Sequence, residues 1–362
     1  MDTSTRYISF NSENYCNYCT NMIKQLEKIK NNALSINNLI SKIKKGGFRK
    51  KYDCIVGLSG GVDSASVLLD VVQRGLRPLA VHMDNGWNSE LAQSNIENLV
   101  KSLNVDLFTY VIDWAEYRAI LTKMIELDIL DLELLYDNAM LAINFNLAHK
   151  YGIKYILSGY NVASEGISIP RDWAWMKYDS KNIRYFAKLA GIKKLKSFPS
   201  FGVLDYLFSR LSGINWVPYL DYIDYNKQKF LNKLESQVNF KSYSHKHYES
   251  IFTRFYQGYI LPKKFNIDKR LPHFSALIIS SQMNRSEAIE LLDKNPYPSE
   301  ELLNEDIEYI CKKLRMSKLE LENYIQRSPT DHDQFPSEIN LWKFYLSFRN
   351  KVINLKKKLW SF

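Results

Sequence analysis

Asp53-Cys54-Ile55-Val56-Gly57-Leu58-Ser59-Gly60-Gly61-Val62-Asp63-Ser64 joins an apolar run, a glycine pair and the start of an amphipathic segment. The apolar part, Asp53 to Ser59, suits a strand buried on both faces. Ser64 to Arg74 then places Val67, Leu68, Val71 and Val72 on one face of a helix, and Gly75 supplies its stop. A Gly-rich turn between a strand and the following helix sits where open α/β sheets bind their ligands, outside the carboxyl ends of the strands. The glycines let backbone N–H groups approach a phosphate closely, Ser59 and Ser64 add hydroxyls, and the helix points its positive end at the same spot. Asp63 is the informative residue. A carboxylate beside a polyphosphate is repulsive unless a cation lies between them, so Mg²⁺ is implied. No lysine follows the glycines, so this is not the G-x-x-x-x-G-K-[ST] loop. The plain alternative is a tight turn that happens to hold two glycines.

Outward from this stretch the pattern repeats. Pro78 to Asp84 reads as a second strand, Leu91 to Leu103 as a helix and Leu107 to Ile112 as a third strand. Ala115 to Glu126 and Leu134 to Lys150 read as helices, and Lys154 to Ser158 as a fourth strand. Strands alternating with helices predict a parallel sheet with helices on both faces, the α/β class. A fifth strand is expected near Trp216 to Tyr222. Before the sheet, Met22 to Lys45 reads as one basic amphipathic helix ended by Gly46-Gly47; after Leu271 the chain turns helical. Asn284 and Ser317 each precede a glutamate by three residues, the capping-box spacing. The expected organisation is an N-terminal C-x-x-C segment with its helix (1–45), a nucleotide-binding sheet domain (46–260) and a mainly helical C-terminal region (261–362).

The 362 residues hold 46% hydrophobic and 24% charged side chains, which is globular rather than disordered. No apolar stretch approaches the ~18–20 residues of a membrane span, and Met1 to Asn14 lacks a signal-peptide layout. Four cysteines are too few for a disulfide scaffold, so a reducing cytoplasm is the expected setting. The net charge of +10 favours an anionic partner: nucleic acid, nucleotide or anionic sugar.

Ser59 to Ser64 resembles the pyrophosphate loop (PP-loop) of the ATP pyrophosphatase superfamily, which includes GMP synthetase, asparagine synthetase and the tRNA-thiolating enzymes. The resemblance implies an adenine nucleotide α-hydrolase-like fold and ATP bound by Ser59, Gly60, Gly61, Val62, Asp63 and Ser64. It implies cleavage between the α- and β-phosphates and an adenylylated substrate oxygen, with Asp63 and Ser64 catalytic. His82-Met83-Asp84-Asn85-Gly86-Trp87 matches the superfamily's D-N-G pattern at the second strand, implying that His82 and Asp84 hold adenosine, with Gly159 on the ATP. Three further stretches resemble the bacterial N-acetyl sugar amidotransferases. They are Met1-Asp2-Thr3 through Ile8-Ser9-Phe10 to Cys16-Asn17-Tyr18-Cys19; Ser158-Gly159-Tyr160-Asn161 with Ser164-Glu165-Gly166; and a C-terminal set. That set is Lys246-His247-Tyr248-Glu249-Ser250, Thr253-Arg254-Phe255 and Asp268-Lys269-Arg270. The resemblance spans Met1 to about residue 295.

Such proteins are linked to lipopolysaccharide O-antigen or flagellar nonulosonate sugars, converting an acetamido to an acetamidino group on a nucleotide-linked sugar. The resemblance implies catalytic roles for Lys246 and Arg254, and substrate contacts at Asn161, Glu165, Glu249, Lys269 and Arg270. It also implies a separate glutaminase, similar to that of the histidine pathway, with a cyclase-like subunit supplying ammonia. The chain's own cysteines show no glutaminase nucleophile. Relatives usually pair two C-x-x-C motifs to bind zinc; Cys16 and Cys19 supply two of the four ligands a structural Zn²⁺ needs. Two other readings stand beside this one. The first is a tRNA-modifying member of the superfamily, lysidine-synthase-like or thiolase-like, suggested by the charge and the aromatic middle. The second is a non-catalytic protein binding RNA or a membrane surface through the basic tail Lys351 to Lys358.

Overall fold

The computed structural model describes residues 1–31, 35–243 and 249–359, with side chains to Lys351. The N-terminal helices are α1 (Asn17–Asn31) and α2 (Ile36–Gly46). The sheet region runs β1 (Cys54–Leu58), α3 (Val62–Gln73), β2 (Pro78–Asp84), α4 (Glu90–Leu103), β3 (Leu107–Val111), α5 (Trp114–Glu126), α6 (Leu134–Tyr151) and β4 (Tyr155–Ser158). It continues through α7 (Val162–Glu165), α8 (Ser180–Leu189), α9 (Val203–Leu211), β5 (Asn215–Pro218) and α10 (Lys227–Val238). The rest is helical: α11 (Ile251–Phe255), α12 (Leu261–Phe265), α13 (Arg270–Ile279), α14 (Arg285–Asp293), α15 (Glu300–Leu314), α16 (Lys318–Gln326) and α17 (Ile339–Leu359).

All five strands are parallel, in the order β3-β2-β1-β4-β5. The chain winds outward from β1 to β3 and then returns to place β4 on the other side of β1. That reversal opens a crevice at the carboxyl ends of β1 and β4. The expected α/β class, with helices on both faces, is what forms. Alternation along β1 feeds two cores. Cys54, Val56 and Leu58 pack with α2, α3, α4 and α10, whereas Ile55 faces α5, α6 and α8. The helix α6 buries side chains around most of its circumference because the C-terminal helices cover the face turned away from the sheet.

Three expectations are corrected. The single helix of Met22 to Lys45 is two, because Ser35 caps α2 by accepting from the Asn38 N–H; residues 32–34 lie outside the described residues. The fifth strand is shorter than Trp216 to Tyr222: it ends at Pro218, which has no N–H for the ladder, and Tyr219–Tyr222 forms a 3₁₀ turn. The helical C-terminal region starts at Ile251, earlier than Leu271, and α11 runs without interruption into α12 through a π-helical turn at Tyr256–Ile260. Pro262, at the start of α12, cannot donate to the preceding turn, and the widened turn accommodates it. Of the two capping-box signatures, Ser317 and Glu320 close the full box, while Asn284 occupies the N-cap of α14 without a side-chain bond.

The C-terminal helices are locked to the sheet region by a buried lysine. Lys264, with a fully buried side chain, donates to Asp128 at 2.9 Å and to the carbonyls of Tyr324 and Arg327, in the last turn of α16 and just beyond it. Replacing it takes one of two cations from a mostly buried carboxylate, which keeps Arg327 at 2.9 Å, and removes a donor from two carbonyls. We expect Lys264→Met to lower the unfolding free energy by about 1–3 kcal/mol, read as a drop in the urea midpoint; an unchanged midpoint would show that this lock carries no stability.

Candidate active site

The turn after β1 is built to expose backbone donors. Gly60 lies at φ +86°, and a Cβ there would come within 2.9 Å of the Ala92 Cβ, so glycine is required on both counts. Gly61 is the N-cap of α3 and offers no side-chain cap, which leaves the first N–H groups of α3 for a ligand. The hydroxyls hold the turn in shape. Ser64 Oγ donates to the Gly61 carbonyl at 3.1 Å, and Gly61 N–H donates to Ser59 Oγ at 3.3 Å. Tyr243, a residue the motif did not flag, donates to the Gly60 carbonyl at 2.8 Å.

Asp63, in the first turn of α3, accepts from the Tyr225 hydroxyl at 2.5 Å. Burial, followed by the negative charges of Asp63 and Glu165, pushes the Tyr225 phenol up, so it stays protonated and keeps donating. Beneath the loop, Gly159 presses its backbone against the start of α3: a Cβ would lie 2.9 Å from both the Asp63 carbonyl carbon and the Ser64 nitrogen. Asn161 is buried; its Oδ1 caps α7 by accepting from Ser164, while its Nδ2 has no hydrogen-bond partner among the described residues. Glu249 places a carboxylate oxygen 3.7 Å from the position of a Cβ on Gly61. The sequence-flagged Ser59, Gly60, Gly61, Val62, Asp63, Ser64, Gly159, Asn161, Glu165 and Glu249 thus gather at the crevice.

The remaining flagged residues have other surroundings. His82 is buried, and both its nitrogens are engaged: Nδ1 donates to the Leu58 carbonyl at 2.9 Å, which leaves Nε2 to accept from Asn88 at 3.0 Å. Burial pushes it below the usual histidine range, consistent with that neutral tautomer. It braces the ends of β1 and β2. Asp84 closes its own turn by accepting from Gly86 N–H at 2.8 Å. Arg254 forms a bidentate pair with buried Asp306, at 2.6 and 2.8 Å, joining α11 to α15. Arg270 bonds Asp268 and donates to the carbonyls of Leu291, Leu292 and Lys294 at the end of α14. Through these contacts both guanidinium groups help to pack the C-terminal helices. Lys269 joins a mixed cluster at the head of α6, where it pairs with Glu133 at 2.8 Å while Lys177 bridges Asp131 and Asp137. Lys246 lies outside the described residues. Cys16 and Cys19 bring their sulfurs to 3.2 Å, but no group of three or more metal-ligating side chains forms among the described residues, so zinc is unsupported.

The C-terminal region reaches this crevice through the backbone. Ser89 N–H donates to the Glu249 carbonyl, Ile251 N–H donates to the Trp87 carbonyl, both at 2.9 Å, and Asn88 pairs with Ser250. Lys313 of α15 donates to the Gly86 carbonyl and sits about 5 Å from the ring centres of Trp87, Trp114 and Tyr309.

The parallel sheet, its strand order and the S-G-G-V-D-S turn define a PP-loop type α/β fold. Residues 249–349 match the family model of the C-terminal domain of LPS biosynthesis protein WbpG-like proteins. That match covers the C-terminal part of the chain and agrees with the surface-sugar resemblance of its sequence. Among solved structures it is similar to NMN synthetase from Francisella tularensis, at 16% identity and a TM-score of 0.29, over 66% of this chain and 100% of that one. It is also similar to the NH3-dependent NAD synthetase from Campylobacter jejuni subsp. jejuni, at 16% identity and a TM-score of 0.29, over 59% of this chain and 93% of that one. A comparison with curated proteins found no match. No helix among the described residues is long and apolar enough to cross a membrane.

The closeness of Gly159 to the loop yields a direct test. In Gly159→Ala the new methyl group meets backbone rather than a movable side chain, so the head of α3 must shift. A displacement of that kind costs on the order of 10²-fold in rate. Nucleotide turnover is expected to fall accordingly while circular dichroism stays unchanged; normal turnover would mean that the loop does not need its present position.

Proposed function

We propose that the chain is an ATP-dependent amidotransferase that converts the acetamido group of a nucleotide-linked sugar to an acetamidino group in surface polysaccharide synthesis. The observation that carries this reading is the uncapped head of α3 beside Asp63, with a WbpG-like C-terminal domain pinned over the same crevice. An amide carbon is a poor electrophile, and ammonia does not displace its oxygen unaided. In the proposed reaction the acetamido oxygen attacks the α-phosphorus of ATP and pyrophosphate leaves. Ammonia then adds to the carbon, and AMP departs with the original oxygen.

The chain's own groups have defined tasks in this sequence. The N–H groups of Val62 to Ser64 hold the pyrophosphate as its charge develops. Tyr225 fixes one oxygen of Asp63, leaving the other for a cation, so the site fits Mg²⁺ as a hard ion held by few carboxylates together with phosphate oxygens. When bound, Mg²⁺ supplies neutralisation of the pyrophosphate charge. Asn161 offers its unpaired Nδ2 as a donor to the sugar, with Glu165 and Glu249 at the same crevice. In this reading ammonia comes from a separate glutaminase working with a cyclase-like subunit.

Chromatography of the nucleotide products decides the phosphate chemistry. We expect AMP and pyrophosphate in equal amounts, formed about 10²–10³-fold more slowly by Asp63→Asn; stoichiometric ADP overturns the reading. Incubation with an N-acetylated nucleotide sugar, against tRNA in parallel, identifies the acceptor class.

Ammonia delivery is separable from the adenylylation step. The purified chain is expected to be inactive with glutamine, active with concentrated ammonium salt, and to gain glutamine use when the glutaminase and cyclase-like subunits are added. With ammonium the rate should rise with pH toward the pKa of that ion, because only neutral NH₃ carries the attacking lone pair. Glutamine hydrolysis by the single chain would contradict this division of labour.

A further inference from the structure

The helix α17 leaves an apolar ridge uncovered. It packs on the body through Trp342, whose ring centre lies 5.2 Å from that of Tyr178 and 5.5 Å from that of Tyr206, and through Tyr345, edge-on to Tyr206 at 6.2 Å. Leu341, Phe344 and Phe348, three and four residues apart, form a separate stripe on the helix, and the two phenylalanines are 70% and 60% exposed. From Ser347 to Lys351 every residue is exposed, so neither the sheet nor another helix covers this part of α17. In sequence the same spacing continues with Val352, Leu355 and Leu359. Single exposed apolar residues are ordinary, whereas a stripe of them marks a contact surface.

Charge narrows what this ridge can meet. From Ile339 to Phe362 the sequence has no Asp or Glu and six cations: Lys343, Arg349, Lys351, Lys356, Lys357 and Lys358. The carboxylate just before them, Glu338, is occupied: it accepts from the Ser180 hydroxyl at 2.7 Å and from the Val203 N–H at 2.6 Å. The helix macrodipole favours cations within the last turn, so it does not account for Lys343 and Arg349, and it offers nothing to exposed phenylalanines. Pairing the ridge with that of a second copy sets six cations against six, with no carboxylate between them. RNA answers the charge, but Leu341 and the aliphatic residues that continue the stripe have no ring to stack on bases. An anionic bilayer surface answers both features, because its headgroup boundary takes Phe and Leu side chains while its phosphates meet Lys and Arg. So many charges keep the segment on such a surface rather than through it.

We propose that α17 docks the protein onto a bilayer containing anionic phospholipid, with Leu341, Phe344 and Phe348 entering the headgroup boundary and the neighbouring cations on lipid phosphates. The inference goes beyond the amidotransferase reading and does not depend on it. A helix owes most of its stability to whatever packs on its apolar face; for this ridge the bilayer takes the place that the protein body takes for the other helices. None of the three ridge residues belongs to the crevice, so the contact is separable from catalysis.

The test is sedimentation of the full chain with vesicles of phosphatidylcholine, alone or mixed with phosphatidylglycerol, for wild type and for the double variant Phe344→Ser/Phe348→Ser. Wild type is expected to bind the mixed vesicles about tenfold or more tightly than phosphatidylcholine alone, and the difference should shrink as salt is raised. The double variant should lose about tenfold or more in partitioning, since each phenylalanine gives up apolar burial. Its melting temperature and circular dichroism should match wild type, which separates a lost surface contact from a damaged fold. No binding of wild type to the mixed vesicles, equal binding to both vesicle types, or undiminished binding by the variant overturns the proposal. So does a wild-type dimer in gel filtration that the double variant converts to monomer, which assigns the ridge to a second copy. RNA binding that the variant loses, with vesicles ignored, overturns it as well.

Discussion

Everything at the crevice depends on keeping the first turn of α3 uncapped and reachable. Helices commonly satisfy their leading N–H groups with a Ser, Thr, Asp or Asn side chain, as α2, α4 and α5 do here through Ser35, Ser89 and Asp113. At α3 the N-cap is Gly61, and the cost of leaving donors open is met elsewhere in the structure. Gly60 takes a backbone conformation closed to most residues, Gly159 comes within a methyl radius of the loop, and Gly57 keeps the sheet surface bare below it. The hydroxyls of Ser59, Ser64, Tyr225 and Tyr243 then brace from the sides what the glycines leave flexible. The site is a set of omissions held in place by hydroxyl groups.

The C-terminal helices act on this arrangement from outside. Within them Arg254 pairs with Asp306, and Arg270 bonds Asp268 and the end of α14. Their contribution is placement. Backbone bonds at Trp87, Ser89, Glu249 and Ile251 hold the head of α11 against the turn after β2, and Lys313 clasps the Gly86 carbonyl from α15. Burying Lys264 with Asp128 fixes the far end of the same helical region. Charge is used here to join elements, which costs desolvation but specifies one arrangement.

How much of this was legible in the sequence follows from the range of the interactions. The strands announced themselves because parallel strands buried on both faces are continuous apolar runs, and the loop because its glycines and Asp63 are contiguous. Tyr225 and Tyr243 were invisible: they reach Asp63 and Gly60 from more than 160 residues away, and a tyrosine among 24 carries no local signal. The pairing of Arg254 was illegible for the same reason, since its partner Asp306 is 52 residues further on.

On the proposed amidotransferase reading, an adenylylated amide explains why such a crevice would be covered. Water attacking that species regenerates the starting acetamido group and consumes ATP without product, so the rate of useful turnover depends on exclusion of water as much as on activation. A loop held open for phosphate is by nature exposed, and the protein's remedy is to lay the segment from Glu249 to Ile251 along the turn after β2, directly beside Gly61.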